Sequence, residues 1–407
     1  MNKNFYLYLS GRFVSRLGDS IQEIGFPLLI LKMYGTAAAL GSTTIFIAIS
    51  DIVVKPFVSV IADKYNKKNI MVSIDLLSGV LCLLVGFLAL KDILSLPLII
   101  IYLIIQSFIS SLFLSASRAM VPEIVKENNY EKAYSLMSIS DNLSSISGPA
   151  LGAMLFAFFG IEYLLFINGI SFIISGISEL FINYEFKNKK IKLKEINFYK
   201  ELKEGLTYLI KRKKLVYFSL TNVILFSFSI PITATFLPLM LQRDGGFNNS
   251  YIGFFKSVST LGTLIGATLL LFFRKHLGSF KFFVSSYLLI NLSMFMIGIT
   301  ISMNIENKIL HFIIIAPFIL MIGFFVISSS VLISSNYQRN VDNKVRARIG
   351  DFNVMAIEIS SIFSILMGSI LLDRISSRTY IILVCAINLV LLLTYVFPGY
   401  KKYIQKD

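Results

Sequence analysis

The sequence predicts an all-α integral membrane protein, with twelve transmembrane helices in two six-helix bundles. Of its 407 residues 56% are hydrophobic and only 15% charged, which is too apolar for a soluble domain of this size. The apolar residues gather in runs of about 20, the length a helix needs to cross roughly 30 Å of hydrocarbon. A single long polar segment then divides these runs into two sets of six.

The expected spans are 5–33, 38–62, 70–91, 97–117, 134–159, 162–183, 215–241, 249–273, 281–303, 309–333, 350–373 and 379–398. Stretches such as "LPLIIIYLIIQSFISSLFL" are continuously apolar, whereas a membrane barrel alternates over about ten residues, so helices are the reading. In the first span Arg12, Arg16, Asp19 and Glu23 interrupt any apolar core and no small-residue cleavage site follows. It is therefore expected to be retained rather than removed as a signal peptide.

Residues 184–214, "YEFKNKKIKLKEINFYKELKEGLTYLIKRKK", carry eleven Lys or Arg against four Glu. This basic linker separates an N-terminal bundle, 1–183, from a C-terminal bundle with a short tail, 215–407. Within it Ile196, Tyr199, Leu202, Leu206 and Leu209 recur at helical spacing. That pattern fits an amphipathic surface helix and equally a solvated linker that fixes topology. Spans starting near 5 and 38 correspond to starts near 216 and 249, an offset of about 211 residues that suggests a repeated six-helix unit. Repeats of this kind, with a substrate cavity between the halves, are one architecture of secondary transporters.

The net charge of +15 does not point to nucleic acid. With residues at the span ends counted with their loops, 28 of the 38 Lys and Arg fall on the face holding both termini, six on the other and four within spans. The positive-inside rule then places both termini in the cytoplasm of a multi-pass cell-membrane protein. Cys82 and Cys385 lie far apart inside spans and read as buried structural thiols. No GxxxxGK[ST] loop or HExxH helix occurs, and His276 and His311 are the only histidines available to a serine nucleophile. No enzyme activity, cofactor or metal is expected.

Three motifs carry a resemblance. "SVIADKYNKKN", residues 59–69, resembles the loop motif of the major facilitator superfamily through Asp63, Lys64, Lys67 and Lys68, with Ser59 and Asn66 where that family usually has glycine. A carboxylate at a helix end beside a basic loop can accept hydrogen bonds from a neighbouring helix N-terminus and latch the cytoplasmic side. Asp75 and Arg118 are assigned to the same end, Asp75 as a structural partner for Arg118. "SSISGPALGA", residues 144–153, resembles the fifth-helix motif of drug:proton antiporters in that superfamily. Asp141, Ser145, Gly148 and Gly152 fall at spacings of 4, 3 and 4, hence on one face. Pro149 removes a backbone hydrogen bond while Gly148 and Gly152 admit a close neighbour, which makes a hinge or simple small-residue packing.

"SASRAMVPEIVKENNYEKAYSLMSI", residues 115–139, is similar to the macrolide-efflux branch, with Arg118, Pro122, Ala133 and Ser135 as its pegs. "SRLGDS" (15–20), "KEGLTYL" (203–209) and "YQRNVDNKVRARI" (337–349) are similar to it as well. The resemblance covers essentially the whole chain. It implies the major facilitator fold and proton-driven export of amphipathic molecules such as macrolides, with antibiotic resistance as the consequence.

Charges inside a membrane cost at least about 2.5–3.5 kcal/mol each, so those retained need a partner, water or a function. Arg12, Arg16, Asp19 and Glu23 share one face of the first span; Asp51 and Lys55 form a second pair; Asp75, Asp141 and Glu179 follow, and the second half offers Lys256, His311 and Glu358. Asp19 and Glu23 are the leading proton-coupling candidates, followed by Asp51, Asp141 and Glu358, with Arg12, Arg16 and Lys55 as charge partners. A static salt-bridge ladder along the first span is the alternative. Glu179 and His311 read as packing or interfacial residues.

The expected function is a proton-coupled antiporter exporting amphipathic drugs by alternating access, acting as a monomer in the lipid bilayer with protons and a small amphipathic substrate as its partners. A lipid or lysolipid facilitator of the same fold and a non-transporting membrane sensor are the alternatives.

Overall fold

The computed structural model describes residues 2–184, 207–277, 280–303, 305–341 and 343–399, with side chains except at 55–57, 59–60, 62–64, 214, 218, 225, 271–277, 280–281, 332–340 and 343–352. No strand occurs among the described residues. Eleven helical segments among them are long and apolar enough to cross a membrane. The first of the twelve expected spans is helical too but is not one of these eleven, since Arg12, Arg16, Asp19, Glu23 and Lys32 lower its apolar character.

That span is two helices, α1 (Lys3–Glu23) and α2 (Gly25–Tyr34), rather than one. The break falls at Ile24, where Gly25 weakens the helix and Pro27 cannot donate a backbone N–H to it. Asn2 caps α1 by accepting from the Phe5 N–H at 3.0 Å, and Gly35 ends α2 in the left-handed conformation, φ 63°. There follow α3 (Ala37–Lys64), α4 (Lys67–Leu90), α5 (Leu96–Ile124), α6 (Tyr130–Phe159) and α7 (Ile161–Leu180). α6 runs unbroken through Pro149, and Gly160, φ 90°, turns the chain into α7.

The second set opens with α8 (Lys213–Pro231), a π-helical turn at Ile232–Phe236 and α9 (Leu237–Arg243). Pro231 and Pro238 bracket the π turn that the sequence reading took as plain helix. α10 (Asn249–Leu277), α11 (Phe280–Ile301), α12 (Lys308–Asn340), α13 (Asn343–Leu371) and α14 (Ser377–Leu391) complete it. The expected amphipathic helix over 196–210 lies outside the described residues up to 206; of its apolar positions Leu209 is buried with Leu215 and Val341.

Backbone packing gives two compact units. One holds Met1–Gly35, Thr43–Glu195 and Asn248–Ser257; the other holds Thr36–Ser42, Ile196–Phe247 and Val258–Asp407. In the first unit α1 packs against α6 and α7, and α4 against α5 and α7. Glycine makes these approaches possible: a Cβ on Gly148 or Gly152 of α6 would collide with Ser20 or Ile21 of α1. In the second unit α11 packs on α12 and α14, and α8 on α13, around Phe226, Phe283, Tyr287 and Val396.

Candidate transport site in the first unit

α1 runs through the first unit between α6 and α7, and its polar face is where the unit concentrates its charge. Arg12 is 4% exposed. Its Nη2 donates to Asp141 Oδ2 on α6 at 2.8 Å, and Arg16 Nε lies 3.7 Å from Asp141 Oδ1. The sequence reading placed these arginines beside Asp19 and Glu23 on their own helix. The structure gives them Asp141 instead, because the α1–α6 glycine contacts bring the two helices close enough for a short carboxylate to reach.

Asp19 accepts from Asn168 Nδ2 of α7 at 3.3 Å, and the same amino group bonds Gln22 Oε1 at 2.8 Å. Gln22 Nε2 donates to the Tyr102 hydroxyl at 3.0 Å, and Cys82 Sγ lies 3.0 Å from that hydroxyl. Sequence reasoning missed Asn168, Gln22 and Tyr102; polar residues within apolar runs were the available signal. Arg12, Ser15, Arg16, Asp19, Asp75 and Ser78 help line a cavity of about 150 Å³ inside this unit. Two arginines and two carboxylates around one cavity can hold a polar group or relay a proton.

The remaining candidates are dispersed. Glu23 pairs with Lys256 at 3.4 Å within the same unit. Asp51 accepts from the Ser107 hydroxyl, while Lys55 falls outside the described side chains, as do Asp63, Lys64 and His276. Glu358 is half-buried in α13. Of the basic loop, Lys67 pairs with Glu123 at 3.2 Å and Lys68 Nζ donates to the Leu180 carbonyl at 2.8 Å, which ties the start of α4 to the ends of α5 and α7. Asn66, at a glycine position of the motif, caps α4 by accepting from the Asn69 N–H at 3.2 Å.

Asp75 and Arg118 are not brought together. Arg118 is exposed, whereas Asp75 is 1% exposed and faces Gly176 and Ser175 of α7. Glu179 of α7 is fully buried nearby. His311 is also fully buried, its Nε2 2.8 Å from the Thr300 carbonyl and its ring against Phe247, so it packs rather than binds.

Membrane-length helices around a charged, cavity-bearing interior define a multi-pass membrane transporter. The model of the Major Facilitator Superfamily matches residues 8–364, and the chain belongs to that superfamily; it is a transporter and not an enzyme. Macrolide efflux protein A of Streptococcus pyogenes is 22% identical over 379 residues, which cover 93% of this chain and 92% of that protein. The Staphyloferrin A transporter of Staphylococcus aureus is 23% identical over 374 residues, 90% and 89% of the two chains. Among solved structures, a bacterial homologue of the iron transporter ferroportin superposes with a TM-score of 0.75 at 14% identity, covering 97% of this chain and 98% of that one. The nucleoside transporter NupG gives a TM-score of 0.70 at 14% identity over 97% and 98%. These structures share the fold; at such identity they say nothing of cargo.

Proposed function

We propose that this protein is a proton-coupled antiporter that exports amphipathic drugs of the macrolide type across the cell membrane by alternating access. The observation that carries the reading is the set of charged groups on α1 and its neighbours. Arg12, Arg16, Asp19, Asp75 and Asp141 are kept in a membrane unit at a cost that only a partner, water or a function offsets. Its relationship to macrolide efflux proteins supports the cargo class. Export then runs on protons: a carboxyl that binds a proton on one side and releases it on the other biases two conformations in opposite directions.

Purified protein in proteoliposomes with an imposed pH gradient tests this. A labelled macrolide should accumulate against its gradient, and an uncoupler should abolish accumulation. Accumulation that persists with the uncoupler overturns proton coupling, and no macrolide flux in either direction overturns the cargo class. Asp63 is the proposed cytoplasmic latch. Asp63→Asn should insert normally but cycle slowly, since it removes a charge-assisted contact worth roughly 1.5–3 kcal/mol from one state; wild-type export at equal abundance removes Asp63 from the mechanism.

A further inference from the structure

Where α4 packs on α7, each helix buries an acid, Asp75 beside Gly176 and Glu179 one turn further along α7. Asp75 is 1% exposed and Glu179 is 0% exposed. Among the described residues neither oxygen of Glu179 has a hydrogen-bonding partner, nor does Asp75 Oδ2, nor do the hydroxyls of Ser78 and Ser175 beside them. The charged and titratable groups facing the pair are Tyr8, Arg12 and Asp19 of α1, with Asp141 of α6 behind Arg12. Tyr8 shares its hydroxyl with Ser117 of α5. Arg12, the buried cation facing the pair, is already committed to Asp141.

Charge balance makes this arrangement informative. Among the described residues Asp19, Asp75, Asp141 and Glu179 face two cations, Arg12 and Arg16, both of which turn to the partly exposed Asp141, so ionising Asp75 and Glu179 together would leave buried negative charge uncompensated. Two buried carboxylates with only serine hydroxyls beside them and no cation of their own are costly to keep charged together. A proton is the ligand that removes the conflict. Asp75 also lines the cavity of about 150 Å³ shared with Asp19 and Arg16, which has room for a few waters and gives a proton a route to the pair.

We propose that Asp75 and Glu179 form a proton-binding site, one proton shared between their carboxyl oxygens, and that this is the proton exchanged for cargo. The proposal rests on the proton-coupled reading above and names the residues that carry it. On loading, a hydronium ion in the cavity gives its proton to a carboxylate oxygen of Asp75, one hydronium O–H bond breaking to leave water as the Asp75 O–H bond forms; on release the proton returns to water by the same route. Arg12 reports the state. Its Nε has no partner, so the guanidinium can stay on Asp141 while the pair is protonated and swing toward the pair once it is ionised.

Infrared spectroscopy of the full chain in lipid, following the carbonyl band of protonated carboxyls, tests the site directly. The wild type should show such a band at neutral pH, isotopic labelling of aspartate or glutamate should shift it, and D75N/E179Q should lose half or more of it. No band in the wild type, no shift with either label, or a full band in the double variant overturns the site. In proteoliposomes E179Q should lose uphill export at least tenfold while still exchanging labelled macrolide in counterflow; wild-type uphill export overturns the role in coupling. Wild-type export that ignores the proton gradient overturns the coupled reading on its own, and the infrared result still decides whether the pair holds a proton.

Discussion

Arg12 of α1 donates from Nη2 to Oδ2 of Asp141 on α6 at 2.8 Å, across 129 residues of sequence. The guanidinium side is 5% exposed and the carboxylate side 32%. Asp141→Asn therefore strands a cation in the interior. The expected loss is about 3 kcal/mol, at the low end for a buried pair because Asp141 is partly open. Thermal unfolding of the purified protein should fall accordingly, and the double variant R12Q/D141N should regain more than half of the loss. A single variant as stable as the wild type refutes the pairing.

The same helix contact depends on Gly148. A Cβ there would lie 2.8 Å from the carbonyl carbon of Ser20 and 3.1 Å from the Ile21 nitrogen, which are backbone atoms that cannot rotate away. Gly148→Ala should cost about 1–3 kcal/mol through overpacking, and Gly148→Leu more. If α1 and α6 also slide during transport, drug exchange should fall further than stability predicts. Unchanged melting and exchange in Gly148→Ala would mean that the helices part easily at this point.

The membrane class and nearly every span were legible because burial in lipid demands runs of about 20 apolar residues, a signal local in sequence. The interruptions were less so. "IGFP" at 24–27 splits the first span and Pro231 precedes the π turn, yet apolar character continues through both and masks the backbone break. Partner choice was not legible at all. Spacing put Arg12 and Arg16 on the same face as Asp19 and Glu23, but α6 supplies Asp141 at a position that only tertiary packing fixes. Asp75 read as an end-of-helix residue from its nearness to the basic loop; two helical turns of depth are enough to bury it.

Asp244, just past α9, gives a pH prediction outside the membrane. Its Oδ2 accepts from the Ser377 N–H at 2.8 Å at the start of α14, and Arg243 lies 3.2 Å from Oδ1. Burial pushes its carboxyl up, but the Ser377 side chain and backbone and the Arg243 guanidinium outweigh that and hold it below the ordinary 3.8. A depressed folded value means stability present above the unfolded pKa and lost as pH falls through the folded one. Asp244→Asn should cost about 1 kcal/mol at pH 7, the difference between a charge-assisted hydrogen bond and a neutral one. The difference from wild type should shrink as pH falls below 3.8 and through the depressed folded value; a melting difference that stays constant as pH falls argues against the ionised cap.

The two acids that ended α1 in the sequence reading now separate. Glu23 is 64% exposed and its partner Lys256 is 40% exposed at 3.4 Å, and such pairs are worth under about 1 kcal/mol. Glu23→Gln should leave both melting and uphill export close to wild type. Asp19 lines the cavity and is held by Asn168, which is itself fixed through Gln22 to Tyr102. Asp19→Asn keeps that shape but cannot ionise. Because Arg12 and Arg16 both turn to Asp141, the substitution orphans neither arginine, and melting should hold. A static ladder along α1 predicts the reverse, a fall in melting rescued by removing an arginine. Drug flux against a pH gradient, measured beside melting for Asp19→Asn and Glu23→Gln, decides it. Reduced uphill export with normal melting in Asp19→Asn alone puts Asp19 on the proton's path to Asp75. Full uphill export in Asp19→Asn takes it off that path, and loss in Glu23→Gln alone moves the path to the exposed end of α1.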